Sequence, residues 1–308
     1  MSIAIFHEHD EWNAPLFAEL GRRGLDYVAV DGSSPDFEPT DIGDWDVLVN
    51  RMSPSAWTRG HMKAMLQTPE FLHNVELAGI PVINGSQAYD YELSKRRQLD
   101  LLRRERVRHP EGRPVLNASE IVGAAIDLEF PVLVKPNIGG SGAGIVAFDT
   151  PGELEAAVAA GMLDDLGPDG TGLVQEMLPA RDNSIVRVEI LGEMFLYAIK
   201  LKLQPGSFNL CPADYCDPAQ GIEDASDLVK GYVPRTELIH EARRIIKASG
   251  ADLGGVEYLV NDRDGEAYFY DINALSNFVA NAPEVVGFDP FILLADFIED
   301  RAKLRALA

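Results

Sequence analysis

Two cysteines in 308 residues, Cys211 and Cys216, are too few for a disulfide framework, and without histidine neighbours they lack the spacing of a zinc knuckle. Both read as free thiols. No apolar run approaches the ~20 residues that a membrane-spanning helix needs. The N-terminus, MSIAIFHEHDEW, turns acidic at once and has neither the basic start nor the long apolar stretch of a secretory signal, so the cytoplasm is the expected compartment. Positive charge is scarce: 27 Lys and Arg against 49 Asp and Glu leave a formal charge of −22, a field that repels nucleic acid and anionic membrane and argues against both as partners. Any phosphate site must then be a local cluster of cations working against that field. The 6 histidines are scattered without metal-ligand spacing, and no repeat or low-complexity tract is present.

The remainder is ordinary globular composition, 46% hydrophobic and 25% charged, in a chain long enough for two or three lobes with clefts between them. SIAIF, EWNAPLFAELGRRG, YVAVDG and DVLVNRM read as strand, helix, strand and strand, an α/β lobe of parallel character over residues 1–90. Helical periodicity through AYDYELSKRRQLDLLRR leads as one helix into a second lobe, residues 91–175. That lobe continues with a helix in VLNASEIVGAAIDL under Asn117 or Ser119, two strands around a glycine loop, a helix begun by Thr150, Pro151 and Glu153 as a capping box, and the strand GLVQEML. Residues 176–308 alternate strands (SIVRVEILG, EMFLYAIKLKL), a helix (TELIHEARRIIKAS), a hairpin and a terminal helix (FILLADFIEDRAKLRA). The connection KLQPGSFNLCPADYCDPAQG, with both cysteines, reads as a substrate-covering loop.

Chemistry concentrates in two places. The first is FPVLVKPNIGGSGAGIVAF, where Gly139, Gly140, Gly142 and Gly144 let backbone amides approach a phosphate without Cβ obstruction. A Walker A loop needs Lys and Ser or Thr after its last glycine, whereas Ile145 follows here and Lys135 precedes the loop. A dinucleotide fingerprint needs the glycines to open a helix, yet IVAF continues as strand. What is left is a hairpin with a pliable tip and Lys135 at its base, either a flap over a triphosphate or a mobile hairpin with a surface lysine. The second place is VEYLVNDRDGEAYFYDIN, a hairpin around the NDRDG turn. Asp271 and Asn273 share a face, and an odd-length loop sets Glu257 nearly opposite Asp271, so three oxygen donors suited to Mg²⁺ converge. Arg51, at the end of DVLVNRM, lies where an α/β lobe presents ligand contacts, and reads either as a fork for a substrate carboxylate or as a surface arginine.

In their order, ELSKRRQLDLL, FPVLVKPNIGGSGAGI, LVQEMLP, VRVEILGEMFLYAIKLK, FN, GGVEYLV and DIN resemble the ATP-grasp superfamily, in particular its ribosomal-protein-S6-modification, glutathione synthetase and D-alanine ligase branches. The resemblance implies an α/β (α+β) fold with an N-terminal parallel lobe and two α+β lobes clasping ATP. It implies that Lys95 and Lys135 contact the α and β phosphates, that Gly140, Ser141, Gly142 and Gly144 close over the β and γ groups, and that Gln175, Glu176, Met177 and Leu178 form a hinge that reads adenine. Arg187 matches the arginine that steadies the reacting phosphoryl group, Lys200 or Lys202 the basic pair on the next strand, and Asn209 an asparagine of the same loop in relatives. Glu257, Asp271 and Asn273 match the ligands of Mg²⁺, with two ions expected and Mn²⁺ an alternative. Ile185 stands where relatives often hold ribose with an acid, leaving Asp182 or Asn183 for that part. After Asn273 the segment ALSNFVANA, with Ser276, replaces the usual Ser-Pro-Gly beside the acceptor substrate. The implied activity joins a small-molecule or peptide carboxylate to an amine through an acyl phosphate, in a homodimer or homotetramer. A non-catalytic nucleotide-binding module or a phosphotransferase of the same fold is the alternative.

Overall fold

The computed structural model describes residues 1–204 and 228–306. Asn209, Cys211 and Cys216, and with them most of the expected substrate-covering loop, lie outside the described residues.

The chain runs β1 (Ile3–His7), α1 (Asp10–Arg22), β2 (Tyr27–Asp31), β3 (Val47–Asn50), α2 (Met62–Leu77), β4 (Val82–Ile83), α3 (Ser86–Glu92), α4 (Lys95–Arg104) and β5 (Gly112–Val115). It continues through α5 (Ile121–Ala125), β6 (Val132–Pro136), β7 (Val146–Phe148), α6 (Pro151–Ala159), β8 (Gly172–Glu176), β9 (Ala180–Leu191) and β10 (Met194–Lys202). After the undescribed stretch come β11 (Val229–Tyr232), α7 (Thr236–Ser249), β12 (Leu253–Asn261), β13 (Ala267–Asn273), α8 (Ala282–Val286) and α9 (Pro290–Ala306).

Three sheets follow one another along the chain. The first is parallel, in the order β2-β1-β3-β4, and its central strand β1 is buried throughout, as the apolar run IAIF requires. The second, β5-β8-β6-β7, is antiparallel and covered by α5 and α6. The capping box forms as its residue types dictate: Glu153 N–H donates to Thr150 Oγ1, and Thr150 N–H to Glu153 Oε2, both at 3.3 Å. The third sheet is antiparallel, β11-β10-β9-β12-β13. One face packs on α7 through Leu238, Ala242, Ile245 and Ile246, a helical stripe. The other face shares a core with α9 and with the first lobe: Leu294 and Ile298 pack in one cluster with Ile185, Ile199, Leu16 and Ile3. Among the described residues no helix is long and apolar enough to cross a membrane.

The structure departs from the sequence reading at several elements. AYDYELSKRRQLDLLRR is two helices, not one, because the Ser94 hydroxyl accepts from Arg97 N–H and starts α4 at Lys95. VLNASEIVGAAIDL holds a 3₁₀ turn, Ala118–Glu120, capped by Asn117, and then the short α5. Strands β5 and β11 and helix α2 were not anticipated.

The first and third lobes are joined at Asn84, which adopts left-handed backbone angles (φ 57°) just after β4. Its Oδ1 accepts from Asp252 N–H at 2.8 Å and Leu253 N–H at 3.0 Å, while its Nδ2 donates to Leu253 O at 2.8 Å and to Ala274 O. With the side chain buried, all four backbone groups lose their partner if it is removed. Asn84→Ala is therefore expected to lower stability by about 3 kcal/mol in urea unfolding. Asn84→Asp, which sets a carboxylate against two carbonyl oxygens, should be at least as damaging.

Candidate functional site

The centre of the site is a two-by-three array on one face of the third sheet. Arg187 on β9, Glu257 on β12 and Asp271 on β13 lie on one rung. Glu189, Gly255 and Asn273 form the next rung. Residues two apart on a strand share a face, so five polar side chains surround the glycine. A Cβ on Gly255 would stand 2.5 Å from Arg187 Nε, and the space it leaves is filled by the guanidinium. The sequence expectation that Glu257 and Asp271 lie nearly opposite one another matches this register.

Two carboxylates on neighbouring strands repel. Cations flank the pair: Arg187 Nη1 donates to Glu257 Oε1 at 3.2 Å, and Lys95 Nζ donates to Asp271 Oδ1 at 2.5 Å. Burial, and then Asp271, raises the Glu257 pKa above the ordinary carboxylate value. Lys95, the first residue of α4, is pulled down by burial, but Asp271 outweighs this and its pKa rises. Asn273 Nδ2 lies 3.5 Å from Glu257 Oε1, completing an all-oxygen-and-amide donor set fit for a hard cation such as Mg²⁺. Among the described residues there is no group of three His, Cys, Asp or Glu that could hold a metal, so a third protein oxygen falls to the amide.

These residues line a cavity of about 490 Å³ between the lobes, together with Lys135, the glycine loop and residues 175–178. Lys135 projects from β6 and donates to Gln175 Oε1 at 2.7 Å; its Nζ lies 5.7 Å from the centre of the Tyr270 ring. The hairpin β6–β7 pairs Val132 with Phe148, and its tip folds over the cavity. Gly140 (φ 147°) meets the first lobe there: an added Cβ would stand 2.4 Å from Ser55 Cβ. Lys135 is buried, which removes the reading of it as a surface lysine.

No protein-family model matches the chain. It is 26% identical over 190 residues to a probable alpha-L-glutamate ligase of Shewanella frigidimarina, a match that covers 59% of this chain and spans 58% of that protein's length. It is 27% identical over 285 residues to a D-alanine–D-alanine ligase of Alkalilimnicola ehrlichii, covering 89% of this chain and 83% of that one. Among solved structures, D-cycloserine synthetase DcsG superposes with a TM-score of 0.72 at 16% identity, over 98% of this chain and 100% of that one. The ATP-grasp ligase PsnB, complexed with its minimal precursor, superposes with a TM-score of 0.68 at 17% identity, over 97% and 98%. The chain has the ATP-grasp fold. The resemblance read from the motif order is thereby borne out.

Within this ATP-grasp cavity the expected residues distribute unevenly. Gly140, Ser141, Gly142, Gln175, Glu176, Met177, Leu178, Asn183 and Ile185 line it, whereas Gly144, whose added Cβ would stand 2.6 Å from Pro136 Cγ, does not. Glu176 N–H and Met177 N–H donate to Glu111 O and Pro131 O, so these two amides are committed to the second lobe. Asp182 and Asn183 both take left-handed angles at the start of β9; Asp182 accepts from Lys200 at 3.1 Å, and Asn183 donates to Leu203 O. Lys200 and Lys202 do not reach the cavity. They pair with Val186 and Ser184, whereas Ile199 pairs with Arg187, so strand alternation turns both lysines to the face away from the guanidinium.

Arg51 is also corrected. It is 3% exposed, which rules out a surface arginine, and it is not on the cavity wall. Its donors go to Asn13 Oδ1, Ser276 O and Asn277 Oδ1, all neutral, and burial pulls its pKa down to about 10. Ser276 is fully buried; its Oγ accepts from Phe278 N–H and lies 3.5 Å from Arg187 Nη2. Both residues hold the segment after Asn273 rather than face the cavity. Three residues of the site went unread: Trp12, Glu92 and Glu189. Glu92 lines the cavity, accepts from Ala274 N–H, and is pushed up to about 7 by burial. The unseen break at Ser94 concealed its place, while the two-residue spacing from Arg187 was a usable signal for Glu189.

Burial, with Lys95 nearby, pushes Lys135 down from 10.5 to about 8. The folded protein then holds fewer protons than the unfolded chain between those values, so Lys135 makes stability rise with pH across the window and penalises the fold below it. At about 1.36 kcal/mol per unit, Lys135→Met should remove roughly 3 kcal/mol of that rise, read from urea unfolding at pH 7.5 and pH 10.

Proposed function

We propose that the protein is an ATP-dependent ligase that joins a carboxylate to an amine, with an amino acid or peptide as substrate. The observation that carries this reading is the meeting in one cavity of a carboxylate pair, one buried and one half-buried lysine, a buried arginine and a glycine flap that touches the first lobe. The named relatives, a glutamate ligase and a D-alanine ligase, and the PsnB complex with its precursor favour amino-acid and peptide substrates.

In this reading ATP is a substrate whose adenine lies along residues 175–178 and whose phosphates meet Lys95 and Lys135. Glu257, Asp271 and Asn273 would hold two Mg²⁺ ions, which would supply positive charge to offset that of the phosphates. A carboxylate oxygen of the substrate attacks the γ phosphorus, the bond to the β,γ-bridging oxygen breaks, and ADP leaves with the electron pair. The amine lone pair of the second substrate then attacks the acyl carbon, phosphate departs with its C–O electron pair, and the surplus proton passes to solvent. Arg187 and Lys135 offset the charge on the transferred group, and no protein nucleophile is needed. The flap from Gly140 to Gly144 keeps water from the acyl phosphate. Lys95, paired with Asp271 in this structure, would be the residue to move its ammonium to the phosphates. Arg51 contributes through Ser276 and Asn277.

Purified protein with Mg-ATP and pooled amino acids and short peptides is expected to yield ADP, phosphate and a new amide mass together. Lys135→Ala and Asp271→Ala should each cut ADP release about 100-fold or more. A phosphorylated product without amide would make the protein a phosphotransferase, and unchanged ADP release in both variants would sink the site.

A further inference from the structure

Arg187 is gripped on three sides. Its Nε donates to Glu189 Oε1 at 2.6 Å, Nη1 to Glu257 Oε1 at 3.2 Å, and Nη2 approaches Ser276 Oγ at 3.5 Å. Its guanidinium rests on the backbone of Gly255, where a Cβ would lie 2.5 Å from Nε and 2.8 Å from Cζ. Glu189 is fully buried, and its Oε2 has no hydrogen-bond partner among the described residues. A carboxylate held dry with one oxygen unsatisfied is costly, and a neutral side chain would fill that position more cheaply. From this geometry we infer that Glu189 and Gly255 are positioning residues that set the Arg187 fork toward the phosphoryl group, an inference that rests on the role proposed above for Arg187.

The physical reason lies in how the charges are shared. Glu257 is both the Nη1 partner of Arg187 and a proposed metal ligand. A divalent cation held by Glu257 would compete for that carboxylate and weaken its pairing with Arg187, which is 4% exposed. Glu189 lies one rung away, out of the carboxylate pair, and keeps a negative charge on the Nε edge. By taking that edge it turns the Nη side of the guanidinium, the bidentate one, toward Glu257, Ser276 and the cavity. Gly255 supplies the other half of the device. Any side chain on the central position of the second rung would occupy the volume that the guanidinium fills.

The test is binding of Mg-ADP with and without aluminium fluoride, which mimics the phosphoryl group in transfer and needs no knowledge of the substrates. Glu189→Gln and Gly255→Ala should each weaken the fluoride-trapped state about tenfold while Mg-ADP alone binds within about twofold of wild type, which also verifies folding. In an Arg187→Ala background neither change should weaken the trapped state further, since both act through the arginine. Trapped states as tight as wild type in both variants, or an equal loss in the Arg187→Ala background, overturn the inference. Wild-type protein that does not bind Mg-ADP, or an Arg187→Ala variant that traps normally, overturns the proposed site and this inference with it.

Discussion

Glu257 and Asp271 stand side by side on adjacent strands, both largely removed from water, and most of the architecture answers that repulsion. The cation of their own hairpin, Arg263 in the turn, pairs with Glu129 instead. Arg187 must come from β9, Lys95 from the start of α4, and Lys135 from the second sheet, so neutrality at the site is reached only when three separate parts of the chain are packed together. Such a cluster is poor as a source of stability, and in the proposed reading its ion pairs would give way to a metal and the phosphates.

The segment after β13 is irregular, with Phe278 at φ 57° and Asn281 at φ 52°, and among the described residues no strand pairs with it. Side chains from several elements do this instead. Gln98 bonds both the N–H and the C=O of Ile272, Glu92 and Asn84 take the two polar groups of Ala274, Arg51 takes Ser276 O, and Tyr197 OH accepts from Val279 N–H. The first lobe is thus tied to the wall where a substrate would rest. The flap meets that lobe at Ser55, so the cavity is closed by contacts between parts that are distant in sequence.

Much of this was legible beforehand. The hairpin around NDRDG and the period of two are local, and they put Asp271 and Asn273 on one face and Glu257 across from them. The glycine-rich tip and Thr150-Pro151-Glu153 likewise act through neighbours only. The failures share a different origin. Lys200 and Lys202 were given to the site by the resemblance, which matches a basic pair on the next strand, but their facing depends on register with β9, and that register carries an irregularity between Phe195 and Tyr197. Arg51 looked like a ligand grip because its position at the end of a parallel strand is suggestive, while its acceptors come from Asn13, Ser276 and Asn277.

By itself the sequence determined the strands and turns, the flap with its basal lysine, the paired carboxylates and the overall excess of negative charge, because each follows from near-neighbour geometry or composition. Only the tertiary structure decided which cation meets which carboxylate, that Glu189 stands behind Arg187 with Gly255 making room, and that Arg51 is a fastening within the fold. Those outcomes depend on which distant surfaces are brought into contact and dehydrated, since the strength and partner of a buried charge are set by its surroundings rather than by its place in the chain.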